Sequence, residues 1–177
     1  GMLLKKAMKG DLDIMTPYQK ILNGDSNIIE EVSECLNDEI ILVENIKRIF
    51  ILLLGKAFEK YGAEIENNQQ VLISLSDLAI ETYISESTLK RTLKNISKTS
   101  IEDQQDQVNM TKLYVYEASQ IVLKKSTDII NSIINSKNQD EVLSSVTEKL
   151  KYNENPNIFD LKIKVADKII SENKYCF

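Results

Sequence analysis

Five glycines and two prolines are all that this chain of 177 residues offers as strong turn formers. A β-sandwich or barrel spends such residues every ~8–12 positions, so that architecture is excluded from the start. Long stretches uninterrupted by Gly or Pro can instead run as helices, and their apolar residues recur at helical spacing. The sequence therefore predicts an all-α fold, an antiparallel bundle of three long helices with shorter ones at the ends. Connections of a few residues force neighbouring helices to alternate in direction.

Residues 2–9 read as the end of a helix stopped by Gly10. Thr16-Pro17 reads as a helix start, a capping residue followed by Pro at the first helical position, and this short helix stops near Asn23-Gly24. Residues 27–37 form a further short acidic helix or irregular turn. The first long helix is expected over Glu39 to Tyr61, with Val43, Ile46, Ile49, Phe50, Leu53, Ala57 and Tyr61 on one face and Gly62 just past its end. The second runs from about Asn68 to Ser97 along the stripe Leu72, Leu75, Ala79, Thr82, Glu86, Leu89, Leu93 and Ile96. Alternation over residues 71–76 also fits a strand, but the 3.6-residue period continues for several more turns and decides for helix. The third covers about Gln104 to Asn135, with Met110, Leu113, Tyr114, Ile121, Ile130, Ile133 and Ile134 facing inward. A fourth covers Gln139 to Lys151. After a turn at 153–156, Asn157 caps a last helix from Ile158 to Asn173, with Asp160 at its third position. Residues 1–38 are read as a connecting segment and 39–177 as the bundle.

The charge balance is acidic, 22 Lys and Arg against 27 Asp and Glu, a net charge of −5. Nucleic acid is not the expected partner of such a surface. His is absent, which removes an imidazole base, a His-ligated metal and a Ser-His-Asp triad. Cys35 and Cys176 are far apart, form no CxxC pair and read as reduced thiols of a cytoplasmic protein. No apolar run approaches the ~20 residues of a membrane span, and no secretory leader is expected at the amino end. Residues 11–37 carry Asp11, Asp13, Asp25, Glu30, Glu31 and Glu34 against Lys20 alone, so no attraction to anionic lipid is expected.

Carboxylates are the available acid–base groups. Glu86 is the sharpest, because it falls on the apolar stripe of the second long helix. A buried, unpaired carboxylate has a raised pKa and can serve as an acid, whereas one at the stripe's edge reaches solvent or a cation such as Lys90 or Arg91. The pairs Asp77/Glu81 and Glu30/Glu34 lie one helical turn apart, but helical carboxylate metal sites also use His, and solvated faces account for them better. Tyr114 and Tyr116 read as core and rim residues. Gly55, inside a strongly apolar helix, reads as the close approach of a neighbouring helix. There is no GxGxxG and no P-loop to cradle a phosphate. No catalytic, cofactor-binding or metal-binding residue is assigned.

Several segments in one order carry a resemblance. Residues 2–9, the run Gly55–Gly62, then Gln69–Leu72, the run Asp77–Ser87 with Arg91, and the closing run Val165–Phe177 together resemble the C-terminal helical domain of bacterial acyl-CoA dehydrogenases of the very-long-chain type. In that family the catalytic glutamate, beside a Gly-Thr motif that contacts the flavin, lies upstream of such a domain, and no position here matches it. The resemblance therefore implies an accessory domain that is not an enzyme on its own. It implies part of a longer FAD-dependent enzyme of fatty-acid β-oxidation, packing on the catalytic domain of the same polypeptide and supporting assembly, with a homo-oligomer compatible. The alternative is a free-standing helical protein-interaction module. Binding to a membrane surface is a third, weaker reading.

Overall fold

The computed structural model describes residues 13–23 and 35–173. Among these there are six α-helices and no strand, as the scarcity of turn residues requires. They are α1 (Met15–Leu22), α2 (Asn37–Tyr61), α3 (Gln69–Ile96), α4 (Gln105–Ile133), α5 (Ser136–Lys149) and α6 (Ile158–Glu172), with a 3₁₀ segment, Gly62–Asn67, between α2 and α3. The expected helix end at Gly10, most of the acidic stretch 27–37, the pair Glu30/Glu34 and Cys176 lie outside the described residues.

Three long helices form the centre. Thr92 meets Thr111 near one end of the α3–α4 pair and Asp77 meets Lys125 near the other, so these two run antiparallel. On α2, Glu39 lies beside Lys112, whereas Lys60 donates to the Ser132 carbonyl at 2.6 Å, so α2 and α4 run parallel. Helix α5 returns along α2, where the Asn45 amide donates to the Lys149 carbonyl at 2.8 Å. Helix α6 lies antiparallel on α4, held by Lys162–Glu117 at 2.8 Å and Lys168–Asp106 at 3.3 Å.

The core divides into two clusters. The larger joins Ile46, Ile49, Leu53 and Ala57 of α2 to Leu75, Leu78, Val122, Ile129 and Ile130. The smaller, at the other end, joins Leu36, Ile40 and Val43 to Leu89, Val108, Val115 and Tyr152. Removing this apolar surface from water is the main source of stability, at roughly 25 cal/mol per Å².

The helices lie within a few residues of their predicted bounds, but four local expectations are corrected. The start of α1 is capped by Asp13, whose Oδ1 accepts from the Thr16 amide at 3.0 Å. Thr16 is already inside the helix, because a carboxylate three residues upstream reaches the free amide. The buried seam of α3 is Val71, Leu75, Leu78, Ser85, Leu89 and Thr92. It is turned about one position from the expected stripe, leaving Leu72, Ala79, Glu86 and Leu93 at its edge. The cause is side-chain volume. Ser85 and Thr92 are small enough to let α4 approach, and the Thr92 and Thr111 hydroxyls meet at 2.8 Å. Ile121, expected inside, is exposed. Helix α5 begins three residues earlier than expected, at Ser136. The cap at Asn157 forms as read, its side chain accepting from the Asp160 amide.

Gly55 contacts α1. The ring of Tyr18, wholly buried, lies where a Cβ on Gly55 would stand. The expected reason for this glycine, a close neighbouring helix, is thereby given a named partner.

Candidate functional site

Glu86 emerges as the centre of a charge cluster between α2 and α3. It accepts from Lys90 at 2.7 Å, one turn along the same helix, and from Lys47 of α2 at 3.1 Å. Lys47 also reaches Glu44 at 2.8 Å. The hydrogen bond from Lys90, reinforced by Lys47, holds the Glu86 carboxyl below its usual range despite partial burial. Burial works against the Lys47 ammonium, but Glu44 and Glu86 outweigh it and raise its pKa. A carboxylate held ionised in this way is a poor proton donor near neutrality, and Glu86 is the edge residue of the two readings. Lys90, not Arg91, is its partner on α3.

Asp77 and Glu81 diverge. Asp77 pairs with Lys125 at 2.6 Å, and Glu81 accepts from the Tyr114 hydroxyl at 2.9 Å. Each is spent on a different residue of α4, so they share no cation. Burial, and then the Glu81 carboxylate, push the Tyr114 pKa up. Tyr116 packs on Tyr152, ring centroids 5.9 Å apart and tilted by 44°. Among the described residues no group of three or more His, Cys, Asp or Glu side chains could hold a metal, and no helix is long and apolar enough to cross a membrane.

Sequence reasoning missed one buried carboxylate. Glu39, in the first turn of α2, is only 3% exposed. Burial raises its pKa, with Lys112 opposing and the Tyr152 hydroxyl beside it. It lines an open cleft of about 470 Å³ with Asp38, Lys112, Tyr152 and the 153–156 turn. Asp38 ties that turn down, accepting from the Asn153 side-chain amide at 2.6 Å and from the Asn153 backbone amide at 3.1 Å. A signal was available: Glu39 continues the stripe of Val43 and Ile46 one turn toward the amino end, where an apolar residue would be expected. The cleft does not suit a dinucleotide. Its walls present Asp38, Glu39 and Glu154 against Lys112, so a pyrophosphate would meet mostly like charge.

Two helices also carry apolar residues on the side away from the core. On α3 these are Ile73, Ile80 and Ile84, with Tyr83 beside them; on α6 they are Phe159, Ile163 and Ile170. Contiguous exposed apolar stripes mark interaction surfaces.

The fold and these groups define an all-helical domain in which the ion pairs Lys47–Glu86, Lys125–Asp77, Lys162–Glu117 and Lys168–Asp106 tie helix to helix, with apolar faces left for contact. The family can be given directly: residues 45–148 match the acyl-CoA dehydrogenase C-terminal domain, over more than half of the sequence, and the chain belongs to that family. A probable acyl-CoA dehydrogenase of Bacillus subtilis (strain 168) is 29% identical over 117 residues, which span 65% of this chain and 20% of that protein. The crystal structure of an acyl-CoA dehydrogenase complexed with FAD from Bacillus anthracis superposes on the whole chain with a TM-score of 0.89 at 28% identity. This chain covers 30% of that one, so it spans under a third of the length of either relative.

Proposed function

We propose that this chain is the accessory C-terminal helical domain of an FAD-dependent acyl-CoA dehydrogenase of fatty-acid β-oxidation, of the very-long-chain type, in the cytoplasm. It packs on the catalytic part of the same polypeptide and supports its assembly. Residues 1–38 connect the two, and 39–177 are the bundle. The observation that carries this reading is the match of the entire chain, at a TM-score of 0.89, to 30% of an FAD-complexed relative.

Dehydrogenation of an acyl thioester needs a base at the α-carbon and a hydride acceptor at the β-carbon, and FAD supplies the acceptor. The site residues that hold the flavin and the base are assigned upstream, to the catalytic part, and none to this chain. What this chain's residues do is structural: Lys47 and Lys90 fix Glu86, Lys125 fixes Asp77, and Asp38 fixes the turn that leads into α6. The test is an absorbance scan of the purified chain in the flavin bands, followed by FAD titration and a dye-coupled acyl-CoA assay. A colourless chain without turnover is expected. Stoichiometric flavin, or turnover abolished by Glu86→Gln, overturns the assignment.

A further inference from the structure

Helix α6 is apolar on two opposed sides. One side packs on α4 through Leu161, which is buried, and is framed by the Lys162–Glu117 and Lys168–Asp106 ion pairs. The 3.6-residue repeat puts Phe159, Ile163, Ala166 and Ile170 on the other side. There Phe159 is 82% exposed, Ile163 59% and Ile170 74%, and Ala166 is exposed as well. The spacing is four, three and four residues, the alternation that lets a second helix seat its knobs between turns. The stripe runs about 16 Å along the helix.

Resting on the proposed docking to a catalytic part, we infer that this outer face of α6 is the docking seam, and that its occupant is a helix of the remaining part of the same acyl-CoA dehydrogenase polypeptide. Two observations choose that occupant over a second copy of this chain. Four side chains on a stripe about 16 Å long fall short of the ~800 Å² per partner that a stable free-standing interface buries. A tether supplies the missing affinity by raising the local concentration of the partner, and both relatives carry this region within a much longer chain. The α3 stripe is the rival seam. Its pattern is poorer, because Asp77, salt-bridged to Lys125, falls between Ile73 and Ile80 on the same side.

The experiment reads side-chain accessibility. Phe159→Cys, Ile163→Cys, Lys164→Cys and Ile80→Cys are placed one at a time in this chain and in the full-length FAD-loaded polypeptide. Thiol labelling is followed peptide by peptide, with helix content checked by circular dichroism. Labelling at 159 and 163 about tenfold or more slower in the longer polypeptide, with 164 and 80 unchanged, is the expected result. Phe159→Cys alters the more exposed side chain, so it reads the seam even where Ile163→Cys disturbs the fold. Protection at 80 with 163 free overturns the inference and leaves docking standing through α3. Protection at neither overturns both. Concentration-dependent protection of 163 in the short chain assigns the seam to a second copy and overturns the inference.

Discussion

The ring of Tyr18 fills the space that a side chain at Gly55 would need, so α1 is seated on α2 through the absence of one methyl group. In an exposed helix Gly→Ala stabilises by about 1 kcal/mol. Here overpacking of about 1–3 kcal/mol opposes that gain and wins. Gly55→Ala is expected to lower the urea midpoint. In a Tyr18→Ala background the same change is expected to be neutral or stabilising. Equal effects in both backgrounds would show that the ring does not rest on Gly55.

Ser85 and Ser126 bury hydroxyls that have no hydrogen-bond partner. Each leaves an unsatisfied polar group inside the bundle. Ser85→Ala and Ser126→Ala are expected to stabilise by about 0.5–1 kcal/mol each, because the methyl fits the same space and removes the desolvated hydroxyl. Thr92 and Thr111 are the contrasting case, their hydroxyls 2.8 Å apart. A Thr→Val double-mutant cycle at these two positions is expected to give a coupling of about 1 kcal/mol. Chemical denaturation of the two Ser→Ala variants and of the single and double Thr→Val variants measures both effects.

Glu39 and Glu86 should respond to pH with opposite signs. The Glu39 pKa is raised in the fold by burial. Its favourable contribution is therefore present below the unfolded carboxylate pKa and is lost as pH rises through the folded value. Glu39→Gln is expected to gain on the parent as pH climbs from the acid range to neutrality. The Glu86 pKa is lowered by Lys90 and Lys47. Its contribution is present above the unfolded pKa and is lost as pH falls through the folded one, so Glu86→Gln is expected to cost stability at neutrality and little in acid. Thermal unfolding from acid to neutral pH separates the two. Parallel curves for both variants contradict the assignment.

The acidic segment 11–37, six carboxylates against one lysine, predicts the behaviour toward lipid. Basic residues near an anionic surface gain about 1 kcal/mol each, and here that term is repulsive. Co-sedimentation with phosphatidylserine-rich vesicles at low salt is expected to leave the chain in the supernatant. Pelleting would contradict the expectation.

Much of this architecture was legible because long periodic stripes dominate the chain. Val43, Ile46, Ile49, Leu53 and Ala57 were read as one face of α2 and are all buried. The seam of α3 was misplaced because apolarity was used to find it, whereas close helix packing selects small residues, and Ser85 and Thr92 are polar. Glu39 is named in the sequence only as the start of α2, because what makes its burial tolerable, Lys112 and Tyr152, lies more than seventy residues away. Such partners are tertiary facts. Glu86 was legible as an edge residue, but its second cation, Lys47, lies on another helix.

The proposed role of the bundle in a longer acyl-CoA dehydrogenase has one direct test. The measurement is flavin retention during thermal unfolding of the full-length acyl-CoA dehydrogenase polypeptide, compared with the same polypeptide lacking the region equivalent to residues 39–177. The predicted result is a truncated enzyme that still binds FAD and turns over acyl-CoA when cold, but loses flavin and assembly at a markedly lower temperature. A truncated enzyme of unchanged stability and assembly, or one that folds normally yet has lost its chemistry, would contradict the account.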